Sequence, residues 1–263
     1  MKLLKEVWDR RFAIKHLVLK NFRVRYRNMA LGVVWSVLNP LVMLGVLVFI
    51  FTYVFPNPGD QTFFPIFLLI GLVHYNSFAR MISASTLSIV ENGLLIKKVA
   101  FPRIIIPVTT IFSQIIDVLV LMALLTVFVL IFQVPIGWSY LWIFASMGVQ
   151  LVFTLGLAFI TSSLHVYYRD MMYIVESGLT ILFWLTPIFY SLDFIYTKLP
   201  TWLYGLYILN PLCGSIHMSR LSILQQGQPD VIAAGIALCV SLATFVTGVI
   251  MFQTLQRRFA DYM

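Results

Sequence analysis

The chain has 263 residues, of which 60% are apolar and only 11% charged, with a formal net charge of +8. A water-soluble domain carries roughly 25% charged residues, so this composition excludes an ordinary soluble protein and predicts an all-α integral membrane protein. The positive balance calls for no nucleic acid, because a membrane surface rich in anionic lipid accounts for it.

Residues 1–28 form the first predicted unit, a cytoplasmic amphipathic helix lying at the membrane interface. Leu4, Trp8, Phe12, Leu19, Phe22 and Tyr26 share one helical stripe, flanked by Lys5, Arg11 and Arg23. Lys15 interrupts the stripe, and Ile14 and Leu17 fall opposite it. A plain basic anchor beside the first span would account for the same charges. No short apolar core with a small-residue cleavage site precedes the first span, so no cleavable signal is expected.

Residues 29–263 are expected to form one membrane domain of six transmembrane helices. Crossing the hydrocarbon core takes about 20 consecutive apolar residues. The candidate stretches are 31–55, 63–79, 104–132, 141–164, 174–189 and 231–252. Pro40, Pro107 and Pro187 lie within them and mark kinks or packing sites. Period-two alternation is absent, which argues against a transmembrane barrel.

Between the second and third stretches, Asn92-Gly93 can start a short helix and Pro102 can end it. Leu94, Leu95, Ile96, Val99 and Phe101 place apolar surface in a loop that ought to be polar. Such surface predicts a soluble partner; the alternative is a loop lying on the membrane, with Lys97 and Lys98 at lipid phosphates. Asp117, near Gln114 and about halfway along the third stretch, reads as a helix–helix hydrogen bond. With Glu176 near the inner boundary, it is thin material for a proton relay, which disfavours secondary transport.

The connection 191–230 holds two apolar pieces, 201–209 and 212–224, broken by Asn210-Pro211. Each is too short to span. They predict short re-entrant or interfacial helices that close the outer surface as a gate. A membrane-interface belt of Trp202, Tyr204 and Tyr207 is the alternative, and the two are compatible. Sixteen of the 18 Lys and Arg fall before the first stretch, after the second, after the fourth and in the tail, leaving Lys198 and Arg220 on the other side. The positive-inside rule then puts both termini in the cytoplasm.

Chemistry is sparse. There is no G-x-x-x-x-G-K-[ST] to cradle a nucleotide phosphate and no G-x-S-x-G nucleophile. His16, His74, His165 and His217 are scattered, and Cys213 and Cys239 make no metal pattern. No catalytic residue, metal or cofactor is therefore expected in this chain.

Several pieces match a known family in order. They are Arg25-Tyr26-Arg27 before Leu31-Gly32-Val33-Val34-Trp35 and Asn39-Pro40-Leu41; Glu91-Asn92 through Lys97-Lys98-Val99-Ala100-Phe101-Pro102-Arg103; Tyr168-Arg169-Asp170; Thr186-Pro187-Ile188-Phe189-Tyr190; and Leu209-Asn210-Pro211-Leu212. In these the chain resembles the membrane subunit of type-2 ABC exporters, specifically the polysaccharide-export branch that handles O-antigen, capsule and teichoic-acid chains. The resemblance implies a homodimer of six-helix subunits in the bacterial cytoplasmic membrane, joined to two copies of a separate ATPase subunit that binds ATP and magnesium. It implies that Leu94, Leu95, Ile96, Lys97, Lys98, Val99 and Phe101 form the ATPase-coupling helix and that 191–230 forms outer gate helices. The cargo it implies is a glycan on an undecaprenyl pyrophosphate carrier.

Arg23, Arg25 and Arg27 would then meet the pyrophosphate at the inner headgroup level, since guanidinium suits bidentate phosphate binding. Anchoring to membrane lipids is the alternative. Phe49, Tyr53, Trp184, Phe189 and Tyr190 lie on the first and fifth stretches, which the family places at the channel. There aromatic faces would stack on sugars and let the glycan slide; a lipid-facing belt or plain packing is the alternative. An ABC exporter of drugs or lipids, and a membrane scaffold without transport, are the other classes open to this sequence.

Overall fold

The computed structural model describes residues 11–26, 32, 34–54, 63–98, 102–224 and 230–262, and among them every regular element is helical. In hydrocarbon each backbone N–H and C=O must find a partner within its own segment, and a helix provides that. Helix α1 (Arg11–Tyr26) precedes α2 (Val34–Phe49), which a π-helical turn over Ile50–Val54 extends. Then come α3 (Phe64–Glu91), the short α4 (Gly93–Lys98) and α5 (Ile105–Ile131). A 3-10 turn over Trp138–Leu141 leads into α6 (Trp142–Tyr167). Helices α7 (Met171–Leu185), α8 (Leu192–Lys198), α9 (Thr201–Ile208) and α10 (Pro211–Leu224) connect it to α11 (Val231–Leu255), and α12 (Phe259–Tyr262) follows.

The expectation of six transmembrane helices is not met. Among the described residues five helices are long and apolar enough to cross: Val34–Val54, Phe64–Glu91, Ile105–Ile131, Trp138–Tyr167 and Val231–Arg258. In place of the stretch 174–189 stands α7, with 15 residues, about 22 Å at 1.5 Å per residue against a core of about 30 Å. The cause is local. Pro187 pushes the residue before it out of the helical region, and Thr186 is extended, at φ −82 and ψ 138.

The second crossing also differs from its predicted extent. It runs on past residue 79 to Glu91, so Arg80 lies within the helix rather than in a loop. Its second half carries Ser83, Ser85, Thr86 and Ser88, which depress hydropathy, yet 78% of its most apolar window is buried inside the protein. Several hydroxyls of the helix bond within the bundle: Ser77 to the Val73 carbonyl at 2.6 Å, Thr86 to the Ile82 carbonyl at 2.8 Å and to Thr161 at 2.9 Å, and Ser88 to the Ser85 carbonyl at 2.6 Å. Helix α3 is the central post, packed against α5, α6 and α10.

Helices α6 and α11 make the most extensive helix–helix contact, and glycines set its distance. A Cβ on Gly248 would stand 2.3 Å from the Gly156 carbonyl oxygen, and one on Gly156 would stand 2.6 Å from the Phe245 nitrogen. Such small residues let membrane helices approach backbone to backbone.

Contacts between elements define two ends. At one end Tyr167 donates to the Leu255 carbonyl at 2.7 Å, Arg103 donates to the Gln256 carbonyl, and Lys20 meets Asn92 at 3.4 Å. The end of α3, the start of α5 and the ends of α6 and α11 are thus gathered on the basic side. At the other end Thr126 meets Tyr140 at 2.8 Å, and His217 lies 3.9 Å from Asp230. The chain returns from the basic end through α7 and the irregular segment after it.

Candidate functional site

At the basic end, α1 lies along α5 and touches the end of α3 through Lys20 and Asn92. Its Tyr26 donates to Asp117, and Ser36 of α2 donates to the same carboxyl at 2.9 Å while meeting Tyr26 at 2.8 Å. Asp117 is buried and stands twelve residues into α5, about 18 Å along it. The helix–helix hydrogen bond expected of Asp117 is present, with α1 and α2 as its partners. Beside it, Lys20, Asn21, Glu91, Asn92, Thr110, Ser113 and Gln114 line a cavity of about 380 Å³ between α1, α3 and α5.

Helix α4 leaves α3 at this same end after Asn92, whose side-chain amide donates to the Ser88 carbonyl at 2.8 Å. Leu94 is 76% exposed, and Lys97 is exposed. Leu95 and Ile96 are half-buried, Ile96 against a cluster built on Ile89, Ile104, Ile106 and Phe159. Arg23 is exposed on α1. Arg27, Val99 and Phe101, and the side chains of Arg25 and Lys98, lie outside the described residues.

The opposite end is built around the break after α7. Phe189 is buried there, stacked on Phe51 at 5.7 Å, and it meets Phe183 at 5.3 Å and Trp184 at 5.5 Å. The hydroxyl of Tyr190 meets that of Tyr207 on α9. Phe49 and Tyr53 pair with each other at 5.5 Å and are exposed, as is Trp184. The structure therefore brings Trp184, Phe189 and Tyr190 together and sets Phe49 and Tyr53 on an outward face of α2. Phe51, Phe64 and Phe183 join the aromatic group; their spacing in apolar stretches gave no sign of it.

Two consecutive residues of α10 organise this end. Arg220 is buried and gives Nη1 to the carbonyls of Pro187 at 2.6 Å and Tyr190 at 3.1 Å. Its Nη2 goes to Ile188 at 2.7 Å and to Phe67 at 3.2 Å, and the guanidinium lies 3.4 Å from the centre of the Phe67 ring. Counted from sequence as an outer loop charge, Arg220 is interior. The available signal was that it is the lone charged residue in the apolar piece 212–224, and an ionisable residue in such a piece marks a special site.

Ser219 joins a buried chain through His74, whose Nε2 lies 2.8 Å from Ser219 Oγ and whose Nδ1 lies 2.5 Å from Gln150 Oε1. The Gln150 amide nitrogen donates to the His74 carbonyl at 2.9 Å, so Oε1 is the acceptor and Nδ1 carries the proton. Ser219 then donates to Nε2, and Ser146 stands 2.6 Å behind it. For a neutral imidazole this set of bonds selects the tautomer with the proton on Nδ1. Among the described residues no group of three or more His, Cys, Asp or Glu is placed to hold a metal ion.

The profile of a family described as ABC-2 type transporter matches residues 13–224. An O-antigen export system permease protein RfbA of Klebsiella pneumoniae is 30% identical over 249 residues, covering 93% of this chain and 92% of that protein. An O-antigen export system permease protein RfbA of Myxococcus xanthus is 26% identical, with 99% of each chain covered. A polysialic acid transport protein KpsM of Escherichia coli is 25% identical, with 92% of each covered.

Proposed function

We infer the role of this chain from one premise: it belongs to the ABC-2 type transporter family. It is a membrane permease related to polysaccharide export systems. We propose that it forms the path by which an ABC transporter carries a lipid-linked polysaccharide, O-antigen or a similar glycan on undecaprenyl pyrophosphate, across the bacterial cytoplasmic membrane. Two copies of the chain pair with each other and with two copies of a separate ATPase, and both termini face the cytoplasm. The observation that carries this is the breadth of the match. Relatives named for O-antigen and for polysialic acid both align over more than nine-tenths of the chain, so glycan export is what they share.

Within this proposal α4 is the coupling element and Leu94 its contact, a view supported by a leucine left 76% exposed at the basic end. Arg23, Arg25 and Arg27 hold the carrier's pyrophosphate, supported by their place in the sequence just before the first crossing. The glycan path follows the aromatic groups of α2 and of the segment after α7.

The test is complementation in the native host. A strain lacking the chain is expected to lose surface glycan and accumulate lipid-linked glycan inside, and the wild-type chain restores export. Leu94→Asp should insert normally yet lose the co-purifying ATPase and the surface glycan, because a carboxylate there must be desolvated against the partner. Replacing Arg25 and Arg27 by Lys should keep insertion and lower export, since Lys lacks the planar donor fork. Full surface glycan in the strain lacking the chain would refute the assignment.

A further inference from the structure

The outer break has a feature that polysaccharide export leaves unexplained: a buried guanidinium whose hydrogen bonds all go to backbone carbonyls. Thr186–Tyr190 follows α7 without continuing its helix. Irregular backbone at such depth is tolerated only where the protein satisfies it. Arg220 does so, taking the carbonyls of Pro187, Ile188 and Tyr190 and adding that of Phe67, in the first turn of α3. Among the described residues no carboxylate stands within ion-pair distance of it. Its Nε has no acceptor.

This is an unusual way to brace a bend. A buried cation without a counter-ion is costly, and a bend that only needed packing would be held by apolar contacts. What the guanidinium supplies is five donors in a rigid fork. Neutral carbonyl partners can be exchanged for water without separating an ion pair. The neighbouring Ser219 is fixed to α3 and α6 through His74 and Ser146. One turn of α10 therefore joins the long helices on one side to the break on the other. Gly71 leaves the room for this joint: a Cβ there would lie 3.1 Å from both Arg220 Nη2 and the Ile188 Cα.

We propose that Arg220 is the latch of the outer closure, a positioning residue that holds the break 186–190 against the start of α3 and keeps the passage sealed between transport cycles. The proposal rests on the reading that the segment 191–230 gates the outer end. Release of the four carbonyls frees the break and, through the Tyr190–Tyr207 contact, α9 with it.

The experiment uses the full chain, reconstituted with its ATPase partner in liposomes loaded with carboxyfluorescein. It reads dye leakage without ATP, ATP hydrolysis, and export. Arg220→Gln is expected to raise leakage several-fold while complex assembly and ATP hydrolysis stay close to wild type and export falls. Arg220→Lys, with charge but no fork, should leak to an intermediate degree. Gly71→Ala, which crowds the joint without removing the cation, should leak in the same direction and more weakly, and it alone decides the matter if Arg220→Gln does not insert. Dye retention equal to wild type in Arg220→Gln and Gly71→Ala overturns the latch. So does a joint loss of assembly, hydrolysis and export without leakage, which is the mark of a mere brace. Leakage needs no cargo, so a wild-type complex that exports no glycan would sink the export reading while the latch is still decided by the dye.

Discussion

Asp117 ties three elements with one side chain, because Tyr26 of α1 and Ser36 of α2 both donate to it. The residue was legible as a helix–helix hydrogen bond, since a carboxyl deep in an apolar stretch must find donors. Its partners were not, because Tyr26 lies 91 positions away and sequence proximity pointed to Gln114. A buried group left without its partner costs about 1–3 kcal/mol. Tyr26→Phe and Asp117→Leu should therefore each lower the unfolding midpoint of the purified chain in detergent. The double variant should be less damaged than the two single losses added, by a coupling of ~1 kcal/mol or more. Strict additivity would mean that Tyr26 and Asp117 do not depend on each other. Arg220 shows the opposite case, a residue whose type signalled a special site while its surroundings stayed hidden. Nothing in the sequence places the carbonyls of 187–190 beside a residue some thirty positions later.

At the level of helices, hydropathy misjudged those in which protein, not lipid, is the solvent. The second half of α3 reads as a loop because Arg80, Ser83, Ser85, Thr86 and Ser88 lower its hydropathy, yet Thr86 and Ser88 find acceptors inside the bundle and Ser85 is buried in it. Helix α7 reads as a span because apolar residues continue through Phe189, although Pro187 sets where the helix stops. The rule that ends α7 was available in the sequence, and hydropathy outweighed it wrongly. The glycine joint between α6 and α11 was not available, since Gly156 and Gly248 stand in unrelated contexts 92 residues apart. It makes a sharp prediction. Gly248→Ala places a methyl 2.3 Å from the Gly156 carbonyl, and overpacking of this kind costs about 1–3 kcal/mol. Gly235→Ala on the same helix meets nothing within 4 Å and should leave thermal stability in detergent unchanged or slightly raised. Equal stability of the two variants would show that α6 and α11 do not meet at this crossing.

The whole molecule presents a question of parity. Five long helices on their own would leave the two termini on opposite sides of the membrane, whereas the split of basic residues puts them together. The contacts resolve it. The end of α11 lies beside the start of α5 and the end of α6, through Gln256 with Arg103 and Leu255 with Tyr167. Helix α1 meets the end of α3 through Lys20 and Asn92. The chain reaches the far end from Tyr167 by a composite of α7 and the break that Arg220 holds, so a return route exists without a sixth long helix. The consequence can be measured in intact cells with a membrane-impermeant maleimide, after Cys213 and Cys239 are changed to Ser. Cysteines introduced at Gly137 and Thr197, both exposed at the far end, are expected to react from outside. Those at Leu94 and Tyr262, exposed at the basic end, should react only after permeabilisation. Leu94 and Tyr262 must behave alike, because the contacts that join α11 to α5 and α6 hold them at one end. Labelling of Tyr262 from outside with Leu94 protected would break that link and return the chain to a plain five-helix crossing with termini apart.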